Sequence, residues 1–370
     1  MGRPTFAEIN LANLRHNVRV IRGYLKSKTE ILAVVKADAY GHGAVRVSSV
    51  LVEEGVKNFG VATVEEGEEL RDGGVAETVV VLGGVPPDQA KEAVSLGLES
   101  TVGSLSHLQG LARELLSLKK PLRIHLKVDT GMGRLGIFPD EVDKALSIVE
   151  GNDYLHLRGF MTHLSSADGD SPGDEEYTRR QLEDFERLLS GLSLPGVKVH
   201  VLNSAGVFRH SDHQYHMVRP GISLYGSLPH AGFEEVGLSP VMTLTTRIAY
   251  LKEYPPGSFI SYGRRYSTRR RERIGVLPIG YADGFRRLGE KGWSVVVCGK
   301  EVPVVGTVCM DNIMIDVTDV PDAAEGSEVM IFGEKEGVRK RVEDLALSLG
   351  TIPYEILTGI SRRVPRIFIE

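Results

Sequence analysis

The chain has 370 residues, 42% of them hydrophobic and 25% charged, with a formal net charge of −5. That length exceeds what one core usually organises, so two domains are expected, and the acidic balance excludes a global positive field that recruits nucleic acid. Two cysteines, Cys298 and Cys309, are too few for a disulfide scaffold, the N-terminus lacks the apolar core of a signal peptide and no apolar run could span a bilayer, so a soluble cytoplasmic protein is expected.

The first element is a helix. Leu11, Leu14, Val18, Ile21 and Leu25 recur at spacings of three and four, behind Asn10 as N-cap. ILAVVKA (31–37) then reads as a buried strand. Similar short runs follow: NFGVAT (58–63), TVVVLGG (78–84), LESTVGS (98–104), LRIHLKVDTG (122–131), LHLRGFMTHLSS (155–166), VKVHVLNSAG (197–206) and MVRPGISLYG (217–226). Helical patterns separate most of them; Leu182, Phe185 and Leu189 mark one on a strongly charged segment. Eight strands with crossover helices predict an α/β fold, a closed TIM-like (β/α)8 barrel over residues 1–236, with a doubly wound open sheet as the rival.

From about residue 237 the pattern changes. VMTLTTRIAYL, ERIGVLPIGYA, SVVVCGK, VPVVGTVCM, NIMIDVT and EVMIFGE are short alternating runs split by Gly, Pro and Asp turns. Helices return only at RVEDLALSLGT and PYEILTGIS, before a strand-like RVPRIFIE. Residues 237–370 are expected to form a second, mainly β domain.

In an eight-stranded barrel the reactive groups sit at the C-terminal ends of the strands. Lys36 closes the first run, ahead of Asp38, Tyr40, Gly41, His42 and Gly43. A strand-end lysine is usually ion-paired or reaches to solvent, but burial also lowers its pKa and makes its amine a nucleophile toward carbonyls. The seventh and eighth runs end in Asn203-Ser204-Ala205-Gly206 and Arg219-Pro220-Gly221-Ile222-Ser223. Loops there commonly bind phosphate, and small residues let the backbone approach it; either loop alone could be ordinary turn chemistry. The fifth run adds Lys127, Asp129 and Arg134, and the sixth adds Thr162, His163 and Ser165. A lysine facing such a cup is compatible with pyridoxal phosphate (PLP).

AVVKADAYGHG (33–43) resembles the PLP-lysine signature of alanine racemases, and the resemblance continues in the family's order across the chain. It runs through LKVDTGMGRLG, THLSSAD, NSAG, VRPGISLYG, SYG (261–263), PIGYADG (278–284), GTVCMD (306–311) and IPYEIL (352–357). Single-domain PLP barrel proteins lack the C-terminal set. The resemblance implies a cytoplasmic PLP enzyme that interconverts L- and D-alanine by a two-base mechanism and supplies D-alanine for peptidoglycan. By position, Lys36 is similar to the cofactor-bearing lysine and first acid/base, and Tyr262 to the opposing base. Arg219 resembles the contact of the pyridine nitrogen, with His163 as its partner. Arg134 resembles the residue at the phenolic oxygen and substrate carboxylate. Tyr40, Ser204, Gly221, Ile222 and Tyr354 resemble the phosphate-binding set. Met310, through its backbone, resembles a carboxylate contact, and Tyr281 a gate in the entry channel. Lys127 matches a lysine that is N-carbamylated in some relatives; the alternative is an unmodified lysine paired with a carboxylate. The resemblance further implies a head-to-tail homodimer in which Tyr262, Tyr281 and Met310 complete the partner's site.

These residue types suit racemisation, which removes a proton from one face of Cα and returns one to the other. Because a guanidinium stays protonated, Arg219 would leave the pyridine nitrogen neutral and weaken the electron sink, limiting side reactions. The remaining rivals are a broad-specificity racemase, a decarboxylase of the same architecture and a non-catalytic PLP carrier. RRYSTRRRER (264–273), with its six arginines, reads as a solvated loop rather than a nucleic-acid patch. His210, His213 and His216 read as a polar turn rather than a metal site. No metal, nucleic-acid or membrane partner is expected.

Overall fold

The computed structural model describes residues 3–287 and 293–370. They form two compact units, one of residues 17–39 and 43–224, the other of residues 1–16, 40–42 and 225–370. The chain opens with strand β1 (Phe6–Asn10) and the helix Leu11–Gly23. Asn10 caps that helix, its Oδ1 accepting the Asn13 N–H at 2.9 Å. Leu11, Leu14, Val18 and Ile21 are fully buried along one face. Leu25 falls beyond the helix, which closes with tighter turns as Tyr24 and Leu25 N–H groups bond to the Ile21 and Arg22 carbonyls.

The first unit holds the barrel. Its strands are β2 (Glu30–Val34), β3 (Asn58–Val61), β4 (Thr78–Val81), β5 (Glu99–Val102), β6 (Leu122–Lys127), β7 (Leu155–Met161), β8 (Lys198–His200) and β9 (Met217–Val218). Each pairs in parallel with the next, and β9 closes the ring on β2 through Glu30↔Met217 and Ile31↔Val218. The expected closed barrel is therefore the fold. Its early strands are buried almost throughout, which explains their β-branched runs: a parallel strand covered on both faces has no polar side. Between β6 and β7 the register slips from Ile124↔Leu157 to His125↔Gly159, leaving Arg158 as the extra residue of a bulge.

Past β2 the backbone takes an uncommon path. Ala37, Asp38, Ala39 and Tyr40 hold φ of 52–54°, and Gly41 follows at 81°. This is a turn of left-handed helix, which costs about 1–2 kcal/mol for each L-residue. Polar groups hold its start in place. Glu66 Oε1 accepts the Ala37 N–H at 2.8 Å, and Asp38 Oδ1 accepts the Ala44 N–H at 2.7 Å.

The second unit is mainly β, as expected. Its strands are β1, β10 (Met242–Arg247), β11 (Tyr250–Tyr254), β12 (Phe259–Ile260), β13 (Tyr266–Ser267), β14 (Glu272–Leu277), β15 (Ser294–Val297), β16 (Lys300–Val305), β17 (Ile313–Asp316), β18 (Glu328–Lys335), β19 (Val338–Lys340) and β20 (Arg366–Ile369). One sheet runs β11-β14-β17-β16-β15-β18-β10-β1-β20, with β19 on β18, and β12–β13 is a separate hairpin. β1 pairs antiparallel with β10 and parallel with β20. The N-terminus thus lies in this sheet, whereas the sequence reading placed it with residues 1–236. Only Ala7 and Ile9 of β1 are buried, a period-two signal too short to stand out beside the helix that follows.

Candidate active site

Lys36, Lys127, His163, Ser204, Arg219, Gly221 and Ile222 all lie at or just past the C-terminal ends of barrel strands, with Arg134 in the loop after β6. Lys127 is 3% exposed and Arg219 likewise 3%. Burial, reinforced by Arg134, lowers the pKa of Lys36. Lys127 is pulled to about 8 by burial and by Arg134, Arg219 and Lys36, against the opposing pull of Asp129. Burial and the same cations push His163 well below its ordinary value. The Lys36, Lys127 and Arg134 side chains make no hydrogen bond or ion pair among the described residues. The adjacent Asp129 carboxylate is turned to backbone, accepting the Gly131 and Gly133 N–H groups at 2.9 and 3.1 Å. Such a gathering of cations is costly unless an anion joins it.

Arg219 is held from several directions. Nη1 donates to the His200 carbonyl (2.7 Å) and His200 Nδ1 (3.0 Å). Nη2 donates to the carbonyls of Thr162 (2.7 Å) and Val201 (2.8 Å), with His163 Nδ1 at 3.2 Å. A guanidinium has five N–H groups, and these contacts occupy the four on its terminal nitrogens. Nε–H has no acceptor among the described residues. A clamped guanidinium offering one N–H fits an aromatic ring nitrogen, an acceptor in its neutral form. The loops after β8 and β9 meet at Ser204. Its Oγ accepts the Gly221 N–H at 2.9 Å and the Ser223 hydroxyl at 3.1 Å. With both lone pairs used, the Ser204 hydroxyl proton is left for an external oxygen, as a phosphate would supply. The residues present therefore fit a phosphorylated pyridine cofactor.

The remaining candidates lie in the second unit. Tyr40 is buried, its ring 5.0 Å from that of Tyr225 and 5.9 Å from that of Tyr354, and burial raises its pKa. Tyr262, in a short turn whose neighbours Ser261, Gly263 and Arg264 hold φ of 65°, 73° and 53°, is 72% exposed. Its carbonyl accepts the Thr307 hydroxyl at 2.7 Å, and Ser261 Oγ donates to the Thr307 carbonyl at 2.6 Å. Tyr281 and Met310, 42% and 52% exposed, sit on loops zipped together: Tyr281 N–H bonds to the Cys309 carbonyl and Ala282 N–H to that of Met310, each at 3.0 Å. Gly280 lets these loops close, since a Cβ there would lie 2.3 Å from the Met310 oxygen. Beneath them, Arg3 grips the buried Asp283 carboxylate at 2.5 and 2.6 Å, and Asp283 also accepts the Gly280 N–H.

Sequence reasoning missed His200 and Glu66, which brace Arg219 and the turn after Lys36. His200 stands in a buried strand run, where a histidine gives no local signal of what it touches.

A barrel mouth lined by unpaired lysine and arginine cations, joined in one chain to a mainly β unit, defines a class of two-domain barrel enzymes that use an anionic cofactor. Comparison with known proteins narrows the class. Residues 9–229 match the family model "Alanine racemase, N-terminal domain" and residues 241–368 "Alanine racemase, C-terminal domain". Alanine racemase 2 of Caldanaerobacter subterraneus is 44% identical, over 99% of this chain and 95% of the relative. The alanine racemase of Halothermothrix orenii is 42% identical over 98% and 96%. Among solved structures, the alanine racemase of Clostridium difficile 630 superposes with a TM-score of 0.93 at 39% identity, covering 100% of this chain and 97% of that one. That of Bartonella henselae, solved with covalently bound pyridoxal phosphate, does so with a TM-score of 0.88 at 29% identity, each chain covered in full. The chain belongs to the alanine racemase family.

Proposed function

We propose that Lys36 and Tyr262 are the two acid/base groups with which this chain, a PLP-dependent alanine racemase, interconverts L- and D-alanine and supplies the D-isomer for peptidoglycan. When bound, pyridoxal phosphate supplies the electron sink that makes the alanine Cα proton acidic. Lys36, its amine made less basic by burial and by Arg134, takes or returns the proton on one face of Cα. Tyr262 serves the other face. Arg219 would offer its Nε–H to the ring nitrogen of the bound cofactor and, as a cation, would leave that nitrogen unprotonated, with His163 steadying Nη2. Ser204, Gly221, Ile222, Tyr40 and Tyr354 would hold the phosphate. Arg134 and the Met310 backbone bind the substrate carboxylate, and Tyr281 gates entry. Lys127 has a depressed pKa and no anionic hydrogen-bond partner, so it can add carbon dioxide and present the resulting carbamate to Arg134.

The observation that carries this reading is the clamped Arg219 beside lysine and arginine side chains that no described carboxylate bonds. We further propose that the working unit is a cytoplasmic homodimer with composite sites, each pairing Lys36 and Arg219 with Tyr262 and Met310 of the partner subunit. No described helix is long and apolar enough to cross a membrane. The test is an assay of the purified yellow protein on L- and D-alanine, with serine and lysine beside them, joined to borohydride reduction and peptide mapping. A pyridoxyl mass on Lys36 and alanine turnover are expected; a label on another lysine would remove Lys36 from its role.

A further inference from the structure

A line of buried polar groups leads away from Arg219 through the barrel. His200 Nδ1 faces Arg219 Nη1 at 3.0 Å, and His200 Nε2 lies 2.9 Å from His125 Nδ1. His125 Nε2 lies 2.8 Å from Glu99 Oε2, and Glu99 Oε1 accepts from Arg123 Nη1 at 3.2 Å. His125, His200 and Glu99 are all buried.

The chemistry at the two ends decides where each proton sits. A guanidinium only donates, so His200 Nδ1 must be bare and its proton must be on Nε2. That N–H points at His125 Nδ1, which is therefore also bare. His125 then carries its proton on Nε2 and gives it to Glu99, a carboxylate that only accepts. A proton on His125 Nδ1 would require a bare His200 Nε2. His200 would then carry its hydrogen on Nδ1, pointed at an Arg219 N–H. The donor-only end and the acceptor-only end thus admit one arrangement of two neutral imidazoles. Burial and the Arg219 charge, which push the His200 pKa well below its ordinary value, act in the same direction.

The backbone is shaped around this line. The register slip between β6 and β7 sets Gly159 opposite His125. A Cβ at residue 159 would stand 2.0 Å from His125 Nδ1, the atom that receives the His200 proton. A bulge and a side-chain-free position in a barrel strand both weaken the ladder. A histidine that merely filled space would need neither.

We propose that Glu99 and His125 are positioning residues of the racemase: they lock His200 in its Nε2–H tautomer and so hold Arg219 in the pose that leaves Nε–H free for the cofactor's ring nitrogen. This rests on the reading of Arg219 given above. Removing the carboxylate removes one of the two ends that fix the line: the amide of Glu99→Gln can donate as well as accept, so the opposite pair of tautomers, which turns a His200 Nδ1–H against Arg219 and displaces it, becomes accessible. Outer partners of metal-ligating side chains commonly change activity by roughly 10-fold or more when lost, and an effect of the same order is expected here.

The experiment is nitrogen-15 NMR of histidine-labelled holoenzyme, with the visible spectrum of the bound cofactor and steady-state kinetics beside it. In the wild-type protein, His125 and His200 should each show a bare Nδ1 and a protonated Nε2. A proton on His200 Nδ1 overturns the proposal without any variant, so a misfolded mutant cannot shelter it. Glu99→Gln should mix the His200 tautomers, shift the cofactor absorbance and lower kcat roughly 10-fold with little change in KM. Glu99→Asp, which keeps an acceptor-only end, should retain the single tautomer. Unchanged tautomers in Glu99→Gln reject the lock. Mixed tautomers with an unchanged cofactor spectrum reject its transmission to Arg219. Arg219→Lys separates the two readings: if it also leaves the spectrum unchanged, Arg219 is not the ring-nitrogen contact, and if it shifts the spectrum while Glu99→Gln does not, only the positioning role fails.

Discussion

The chemistry-bearing residues of the two units are held in opposite ways. In the barrel, Arg219 and Lys127 are nearly sealed from solvent, and Arg219 is fixed by three carbonyls and two imidazoles. In the β unit, Tyr262, Tyr281 and Met310 are open to solvent, and it is their backbones rather than their side chains that are fixed, through Thr307, Cys309 and Ala282. Phe259, in the β12–β13 hairpin, is also exposed, with the Arg264 guanidinium 5.6 Å from its ring centre. A charge needs its geometry set before a ligand arrives, because a misplaced buried cation is expensive. An exposed aromatic group beside an exposed methionine marks a surface to be covered. The difference supports the proposed composite site, in which the barrel supplies prearranged charge and the β unit supplies groups that gain their surroundings on assembly.

Under the proposed roles, the most severe break removes Lys36, the barrel's base, and the next removes Tyr262, the base opposite it. Lys36→Ala should lower racemisation by roughly 1,000-fold or more, since both covalent attachment and one proton transfer are lost. Stopped racemisation with retained fold, read by circular dichroism, is the expected result. Tyr262→Phe removes the opposing base and should cost roughly 100-fold to 10,000-fold in kcat. Because Tyr262 is exposed, the fold should tolerate the change.

Mixing those two variants under subunit exchange tests the comparison itself. If each site draws Lys36 from one chain and Tyr262 from the other, a mixed dimer holds one site with both defects and one with neither. Activity should then return toward half the wild-type value in each heterodimer. Verified exchange with no recovery would place both bases within one chain and end the composite reading.

How far the sequence reveals these arrangements depends on the range of the forces involved. Barrel strands such as Thr78–Val81 and Asn58–Val61 were legible because burial on both faces writes itself as a continuous apolar run. The Asn10 cap and the face of the first helix were legible because both act within a few residues. Four consecutive L-residues in a left-handed turn were not, since local preference opposes them and the hydrogen bond that steadies the first of them comes from Glu66, 29 residues away. His125 and His200, 75 residues apart, carry no mark of their pairing. Lys36, Arg219 and Tyr262 were singled out by resemblance; strand-end position alone would have left Lys36 an ordinary lysine and given Tyr262 no role.

Lys127 sharpens the account of the barrel. As a free amine its folded-state pKa is about 8, against about 10.5 for an ordinary lysine. Between those values the unfolded chain binds the proton and the folded chain does not, so stability should rise with pH from about 8 to about 10.5. Below about pH 8 both states are protonated and the buried cation's full cost is present. The denaturant midpoint of carbon-dioxide-free protein should show this rise, and Lys127→Met should reduce it to the part that the lowered pKa of Lys36 contributes. Carbamylated protein should show the same reduction and carry the added mass of carbon dioxide on Lys127. A free-amine mass in carbon-dioxide-equilibrated protein, with the rise intact, would count against the modification.

A smaller effect is expected where the β unit relies on backbone fit. Gly280 has φ of −152°, an extended conformation any residue adopts, so replacing it brings no dihedral strain. Space is the constraint. A Cβ there would lie 2.3 Å from the Met310 oxygen and 2.4 Å from the Cys309 oxygen, and both obstacles are backbone. Those same oxygens accept the Ala282 and Tyr281 N–H groups, so the methyl of Gly280→Ala must part the loops where they are zipped. Overpacking of this kind costs about 1–3 kcal/mol. Under the proposed roles, the displaced Met310 backbone and Tyr281 ring should raise KM for alanine more than they lower kcat. Gly23→Ala is the control, because a Cβ there meets no heavy atom within 4 Å, and it should leave both KM and the melting temperature near wild type. A Gly280→Ala protein with unchanged KM and an unchanged melting temperature would show that the loops carrying Tyr281 and Met310 yield freely. The β unit's surface would then be placed by whatever covers it rather than by its own backbone.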